Sequence, residues 1–598
     1  MSNITTANRM NDTMRFRSGG LAMMAIAVIV SGCTIEDGSR LSAAPRSAEF
    51  TVASDGPQVD DTVVGSYLAG RQARANRDFT VAADYFDHAL MMAPEDPALV
   101  RRTFTLMLAD GRMDRAMTLA EQVRQVSPRD LMANLTLASN AFRNGDNAEA
   151  RQILSSIERS GFTKLLIALM TAWSHSGDGD IAAAQAVLDG LDVSSGFEAF
   201  VLFHRALIYD QAGRREDAKR FYTATEATRA RDALRVALAH GSFLERSGDA
   251  EGARRLYSDY IRRVSDNPVV GVALERVGNV TPRLLVADAR AGVAEALYGA
   301  ASVLAQDRAR DAAIVYLRLA LHIRPDYPIA QTLLADIYEN DRNWQAAIEI
   351  YKSIRPDSEY SWNARVRTAW AHEQLDETEQ AEDLLRAMAE ERGQDVDSLV
   401  TLADILRSRK RFAESAETYG RAIQRLPDLE ERHWSLFYAR GIAHERSNQW
   451  SQAERDLLRA LDLRPEQPLV LNYLGYSWAD QGVNLDRAVD MITQAVSLRP
   501  NDGYIVDSLG WVFYRLGRYR DAVEKLERAA ELRPEDPVIN DHLGDAYWRV
   551  GRYKEARFQW SRALSFDPDS TQIPIIEGKI VDGLTSDSTG AVATGQGG

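Results

Sequence analysis

The chain has 598 residues, 45% hydrophobic and 26% charged, with a formal net charge of -15 at pH 7 and one cysteine. One thiol rules out an intrachain disulfide and a thiolate metal cluster. The acidic balance argues against nucleic-acid binding, which depends on a basic, counterion-releasing face.

In chain order, Arg15 and Arg17 precede an apolar run over residues 21–30, and Val30-Ser31-Gly32-Cys33 follows at once. Ten residues are too few to span a bilayer, which takes about 20, but they suit the apolar core of a secretory signal. These ordered features resemble the lipobox of bacterial lipoprotein precursors, with Met10 or Met14 as alternative starts. The resemblance implies a signal peptide over 1–32, cleavage before Cys33 and lipidation of its thiol. Thr34, where aspartate would signal retention in the inner membrane, implies lipid anchoring on the periplasmic face of the outer membrane. Residues 33–62 lack apolar periodicity and read as a lipidated flexible tether.

Over 63–268 the sequence predicts a degenerate helical array. Gly70 with Ala82, Phe86, Ala89 and Pro94 opens it, and fainter copies centre on Phe104, Ala138, Ala172, Ala206 and Gly241. The register then breaks, and Pro268, Gly271, Gly278, Asn279 and Pro282 punctuate the break, so 269–293 reads as a hinge or insert. A second array is expected over 294–569, with its small-residue slot at Ala301, Ala335, Ala369 and Ala403, then Gly441, Gly475, Gly510 and Gly544. Pro465, Pro500, Pro534 and Pro568 keep the same period of 34 or 35.

Leu474, Leu509 and Leu543 precede the slot glycines, Trp478, Phe513 and Tyr547 follow three later, and Ala453, Ala488, Ala522 and Ala556 mark the second helices. This pattern resembles the tetratricopeptide repeat (TPR). The resemblance implies an all-α solenoid superhelix of about fourteen helix-turn-helix repeats, whose glycines and alanines let paired helices approach closely. Residues 570–585 read as a capping helix and 586–598 as a disordered tail.

On the first helix of a repeat, offsets of -3, +1, +4 and +5 from the slot form a face distinct from the packing face. In the last three repeats it carries Asn472, Tyr476 and Asp480; Asp507, Trp511, Tyr514 and Arg515; and Asp541, Asp545, Trp548 and Arg549. In proteins of the resembled family this concave face holds peptides, which makes these eleven residues the candidate binding groove. The alternative is that the aromatics pack on the next repeat and the charges pair with one another. Only Asn472 matches the lysine and asparagine clamp with which some such repeats take chaperone C-termini.

No catalytic motif emerges. His372-Glu373 and His444-Glu445 are followed by Asp376 and Asn448 where a zinc helix needs histidine, and no nucleophile elbow or phosphate loop is present. No cofactor and no metal is expected, and the repeats leave no room for a catalytic domain.

The layout, a lipobox followed by repeats, resembles TPR lipoproteins that hold a periplasmic C-terminal-processing protease and deliver peptidoglycan hydrolases to it. That implies a non-catalytic adaptor with protein or peptide partners. The alternatives are a pilotin-like assembly factor for an outer-membrane complex, or an enzyme whose site is unrecognised.

Overall fold

The computed structural model describes residues 62–158, 161–191, 197–264, 267–306 and 309–584. The signal segment, Cys33, nearly all of the tether and the tail expected over 586–598 lie outside the described residues. Among the described residues there are thirty α-helices and no strand, and no helix is long and apolar enough to cross a membrane. The described chain divides into two compact units, residues 62–381 and 382–584.

The first unit opens with α1 (Val63–Ala75), α2 (Phe79–Met92), α3 (Pro97–Asp110), α4 (Met113–Val126), α5 (Leu131–Asn144) and α6 (Asn147–Ser155). It continues with α7 (Gly161–Gly177), α8 (Ile181–Asp189), α9 (Glu198–Gln211), α10 (Arg215–Glu226), α11 (Leu234–Arg246), α12 (Ala250–Val264) and α13 (Pro268–Arg276). Then come α14 (Ala289–Gln306), α15 (Arg310–Ile323), α16 (Pro328–Asn340), α17 (Trp344–Lys352) and α18 (Ser361–Gln374), and α19 (Thr378–Glu391) contains the unit boundary. The second unit holds α20 (Asp397–Ser408), α21 (Phe412–Gln424), α22 (Trp434–Arg446), α23 (Trp450–Leu463), α24 (Pro468–Gln481) and α25 (Leu485–Leu498). It ends with α26 (Gly503–Arg515), α27 (Tyr519–Leu532), α28 (Pro537–Arg549), α29 (Tyr553–Ser565) and α30 (Ile573–Asp582). In chain order these form fourteen successive pairs, with α13 and α30 standing alone.

Local chemistry sets the boundaries. Asp96 and Asp536 each accept hydrogen bonds from two amides of the first turn of α3 and α28, and a proline follows at the first helical position, where its missing N–H is not needed. Between the two helices of a pair the chain turns through a left-handed residue. Gly111, Gly145, Gly179, Gly213, Gly248, Gly482, Gly517 and Gly551 take positive φ there, and Arg77, Arg342, Asp376, Lys410 and Asn448 do the same without being glycine. Each turn residue stands seven positions after a small-residue slot, so the register inferred from sequence runs through the degenerate copies.

Every slot residue is buried, and the glycines are there for close approach. A Cβ on Gly475 would lie 2.7 Å from Ile492, on Gly510 2.6 Å from Leu526, and on Gly544 2.4 Å from Trp560, each on the partner helix. The result is a continuous core in the first unit and, in the second, a main core between Trp434 and Ile576 with three smaller clusters beside it, built from paired apolar stripes.

The stretch expected as a hinge or insert holds the unpaired helix α13 and an irregular passage. Helix α13 packs on α11 and α12, and after a short irregular passage α14 and α15 turn back into the first array. Helix α14 packs against α7, α9 and α5, and α15 against α5 and α3, all first helices of their pairs. A Cβ on Gly292 would lie 2.0 Å from Trp173, and one on Gly299 2.9 Å from Phe200. His322 accepts from Arg143 at 3.0 Å and bonds Asn140 at 3.1 Å, and Arg318 donates to the Ala109 carbonyl at 3.2 Å. Further along, Asp341 meets Arg77 beside α1. A uniform solenoid would leave its inner side open; here the chain's own residues 289–323 fill that side of the first array. This is why 294–381, expected in the second array, belong to the first unit.

Candidate functional site

The second unit differs in this respect. Among the described residues no helix is seated along the inner faces of α22, α24 and α26 as α14 and α15 are in the first unit. The eleven side chains picked out by spacing lie on three successive first helices, α24, α26 and α28, which pack on one another in order.

Five of them are engaged with one another. Arg515 donates to the Asp480 carboxylate at 3.1 Å and to its backbone carbonyl at 3.0 Å. Arg549 donates to the Tyr514 hydroxyl at 3.3 Å. Trp511 stacks nearly parallel on Tyr514, centroids 4.9 Å apart, and on His542, 4.0 Å apart. His542 Nδ1 lies 3.1 Å from both oxygens of Asp507, and both residues are buried. Burial alone would lower the proton affinity of His542, but the Asp507 carboxylate overcomes it and holds the imidazole above its ordinary range.

At the end of the array the capping helix joins the face. Lys579 of α30 donates to Asp541 at 2.8 and 2.9 Å and to Asp545 at 2.9 Å, and Trp560 Nε1 donates to Asp545 at 2.9 Å. Burial, with the Asp541 charge beside it, pushes Asp545 up to about 6 against the pull of Lys579. Both carboxylates hold the Lys579 ammonium above its ordinary value. Trp548 packs edge-on against Tyr553 with centroids 4.6 Å apart, and Gly583 lies against its indole, where a Cβ would be 2.0 Å from the ring.

Four polar atoms on this seam are buried and lack a partner: Asn472 Oδ1, Tyr476 Oη, Trp511 Nε1 and His542 Nε2. Burial pushes the Tyr476 phenol well above its usual value, so it stays a neutral hydroxyl. Spacing brings together Asn472, Tyr476, Asp507 and Trp511 but misses His542 and Lys579. His542 lies close to that face: offset -2 falls about 20° beyond offset +5 around the helix, just outside the arc of the four chosen offsets. Lys579 carried no such signal, because a fold-back of α30 places it.

The pattern of the tetratricopeptide repeat matches residues 438–503 and 508–571, and further copies match 107–172 and 332–356. These segments are tetratricopeptide repeats. TPR repeat-containing protein PA4667 of Pseudomonas aeruginosa is 38% identical over 88 residues, a stretch that spans 15% of this chain and 15% of that protein. Among solved structures, the APC/C hetero-tetramer Cut9–Hcn1 is 13% identical, over 87% of this chain and 96% of that one, with a TM-score of 0.36. Yeast Tom70 is 14% identical, over 86% and 95%, with a TM-score of 0.27. TPRs fold into helix pairs that cannot cover their apolar faces alone and stack to do so, the architecture seen in both units.

Proposed function

We propose that the chain is a non-catalytic adaptor of the cell envelope that holds protein partners on the inner face of its C-terminal TPRs. One observation carries this reading. The inner side of the first array is filled by helices α14 and α15, whereas α24 and α26 carry a polar and aromatic inner face along which no helix is laid among the described residues. Aromatic anchors among hydrogen-bonding groups are the chemistry of peptide-holding surfaces.

The lipobox pattern at Val30-Ser31-Gly32-Cys33 supports tethering at Cys33 on the periplasmic face of the outer membrane. Two acyl signals or more make such an anchor stable where one chain would not. A tethered groove raises the encounter rate of whatever it holds by effective concentration alone, without chemistry of its own. The layout supports a periplasmic C-terminal-processing protease and peptidoglycan hydrolases as the partners.

Mild crosslinking in cells followed by purification of the chain is expected to recover a protease or a cell-wall hydrolase. Recovering neither removes this version. Cys33→Ser is expected to move the chain from the membrane pellet to the soluble fraction, and unchanged sedimentation would dismiss the anchor.

A further inference from the structure

Resting on the anchor proposed at Cys33, we infer that α1 and the end of α2 lie on a phospholipid surface, which closes the N-terminal end of the first array. Stacked repeats stop burying apolar surface at their ends, and an array meets water there through a polar or added helix. At the far end of the second unit α30 is such a helix, with Ile576 buried and Lys579 tied to Asp541 and Asp545. Among the described residues no helix precedes α1.

Helix α1 itself is not polar on its outward side. Ser66, Gly70 and Ala73 are its buried residues, whereas Val64, Leu68, Arg71 and Ala75, spaced as i, i+4, i+7 and i+11, form one exposed stripe. Val64 and Leu68 keep 66% and 54% of their surface in water. The first two helices run antiparallel: a Cβ on Gly70 would lie 2.6 Å from Phe86, which sets Val64 level with Met92. Met91 and Met92 are exposed too, so four large apolar side chains gather at one end of the first hairpin.

The chain and its charges say what covers them. Residues 34–62 separate Cys33 from α1 and reach at most about 100 Å fully extended, so an acylated Cys33 keeps this end close to the bilayer. Helix α1 carries Arg71 and Arg74 and no acid. Arg77, just after it, meets Asp341, but Arg71 and Arg74 make no ion pair among the described residues; Arg71 stands 6.0 Å from the Tyr67 ring instead. Asp60 and Asp61 precede the helix and oppose anionic headgroups. Apolar insertion therefore carries the contact, and the two guanidiniums orient it by taking lipid phosphates. A second copy of the chain fits less well, since an isologous pairing of this end would bring Arg71 and Arg74 against their own equivalents.

The test uses the processed chain, beginning at Cys33. Its one thiol is coupled to a maleimide-bearing lipid in vesicles of phosphatidylethanolamine and phosphatidylglycerol, so natural acylation is not required. Amide hydrogen exchange over 63–75 is expected to slow roughly tenfold against the same chain with its thiol capped and no vesicles, with no change over 573–582. Val64→Asp with Leu68→Asp is expected to abolish the slowing; both positions are exposed, and thermal melting confirms that the variant folds. Unchanged exchange over 63–75, or equal slowing over 573–582, overturns the docking and leaves the anchor in place, which sedimentation of the Cys33→Ser chain decides separately. Slowing that persists in the double variant overturns it as well. Slowing in the capped chain that grows with protein concentration gives this face to a second copy and removes the lipid.

Discussion

Glu295 and Arg235 show what a single buried pair does in the first unit. The guanidinium donates to both carboxylate oxygens at 2.6 to 2.9 Å, and Tyr327 adds a hydroxyl donor at 2.8 Å. Removing one partner would strand the other charge in a dry site, so Glu295→Ala is expected to cost about 3–5 kcal/mol in urea denaturation, while the double replacement with Arg235→Met costs less. Histidines act at the same scale. His204 accepts from Trp173 Nε1 at 2.9 Å, and burial lowers it to about 4; burial and Arg143 lower His322 to about 4 as well. Both lie below the unfolded value of about 6.5, so their stabilisation is complete above that pH and is lost as the pH falls from 6.5 through 4. Denaturation at pH 7 and pH 5 is expected to differ by roughly 2 kcal/mol less per site in His204→Gln and His322→Gln than in the wild-type chain. His542, raised by Asp507, has the opposite sign and is favoured by acid up to its folded value.

Among the elements, α30 decides how the second unit ends. Its Ile576 is buried, its Lys579 neutralises Asp541 and Asp545, and the Ile580 carbonyl accepts from Arg557 at 2.9 Å. Lys579→Met leaves two neighbouring carboxylates unpaired, one of them buried. The expected result is a loss of about 2–4 kcal/mol near neutral pH that Asp541→Asn partly restores, read by thermal melting. Helix α14 makes a second point about elements. From Ala291 to Ala301 its residues are small or apolar apart from Glu295 and Tyr298, and nearly all of them are buried. That pattern was available in the sequence and signals more than the one-faced packing of an ordinary repeat helix.

At the level of the whole chain, what could be read from sequence was what recurs. The slots from Gly70 to Gly544 tracked the pairs even where Phe104 replaces a small residue, because the period is imposed by stacking and leaves a mark in each copy. The fold-back could not be read that way. His322 meets Arg143 across 179 positions and Arg318 meets the Ala109 carbonyl across 209, contacts that no local period encodes. On the candidate face, spacing grouped residues of three successive first helices but not their wiring: that Asp480 is tied to Arg515, or Asp545 to Lys579, depends on side-chain reach between elements.

The seating of 289–323 inside the first array also bears on how the chain is made. Synthesis delivers the receiving repeats first, and until residue 323 has emerged they present an apolar channel to whatever is nearby. Helices α14 and α15 are therefore expected to complete the fold of the repeats that precede them. A fragment ending at residue 288 is expected to bind a fluorescent hydrophobic dye and aggregate, and extending it to 381 to abolish both; a compact, dye-silent fragment would show that the early repeats need no such help.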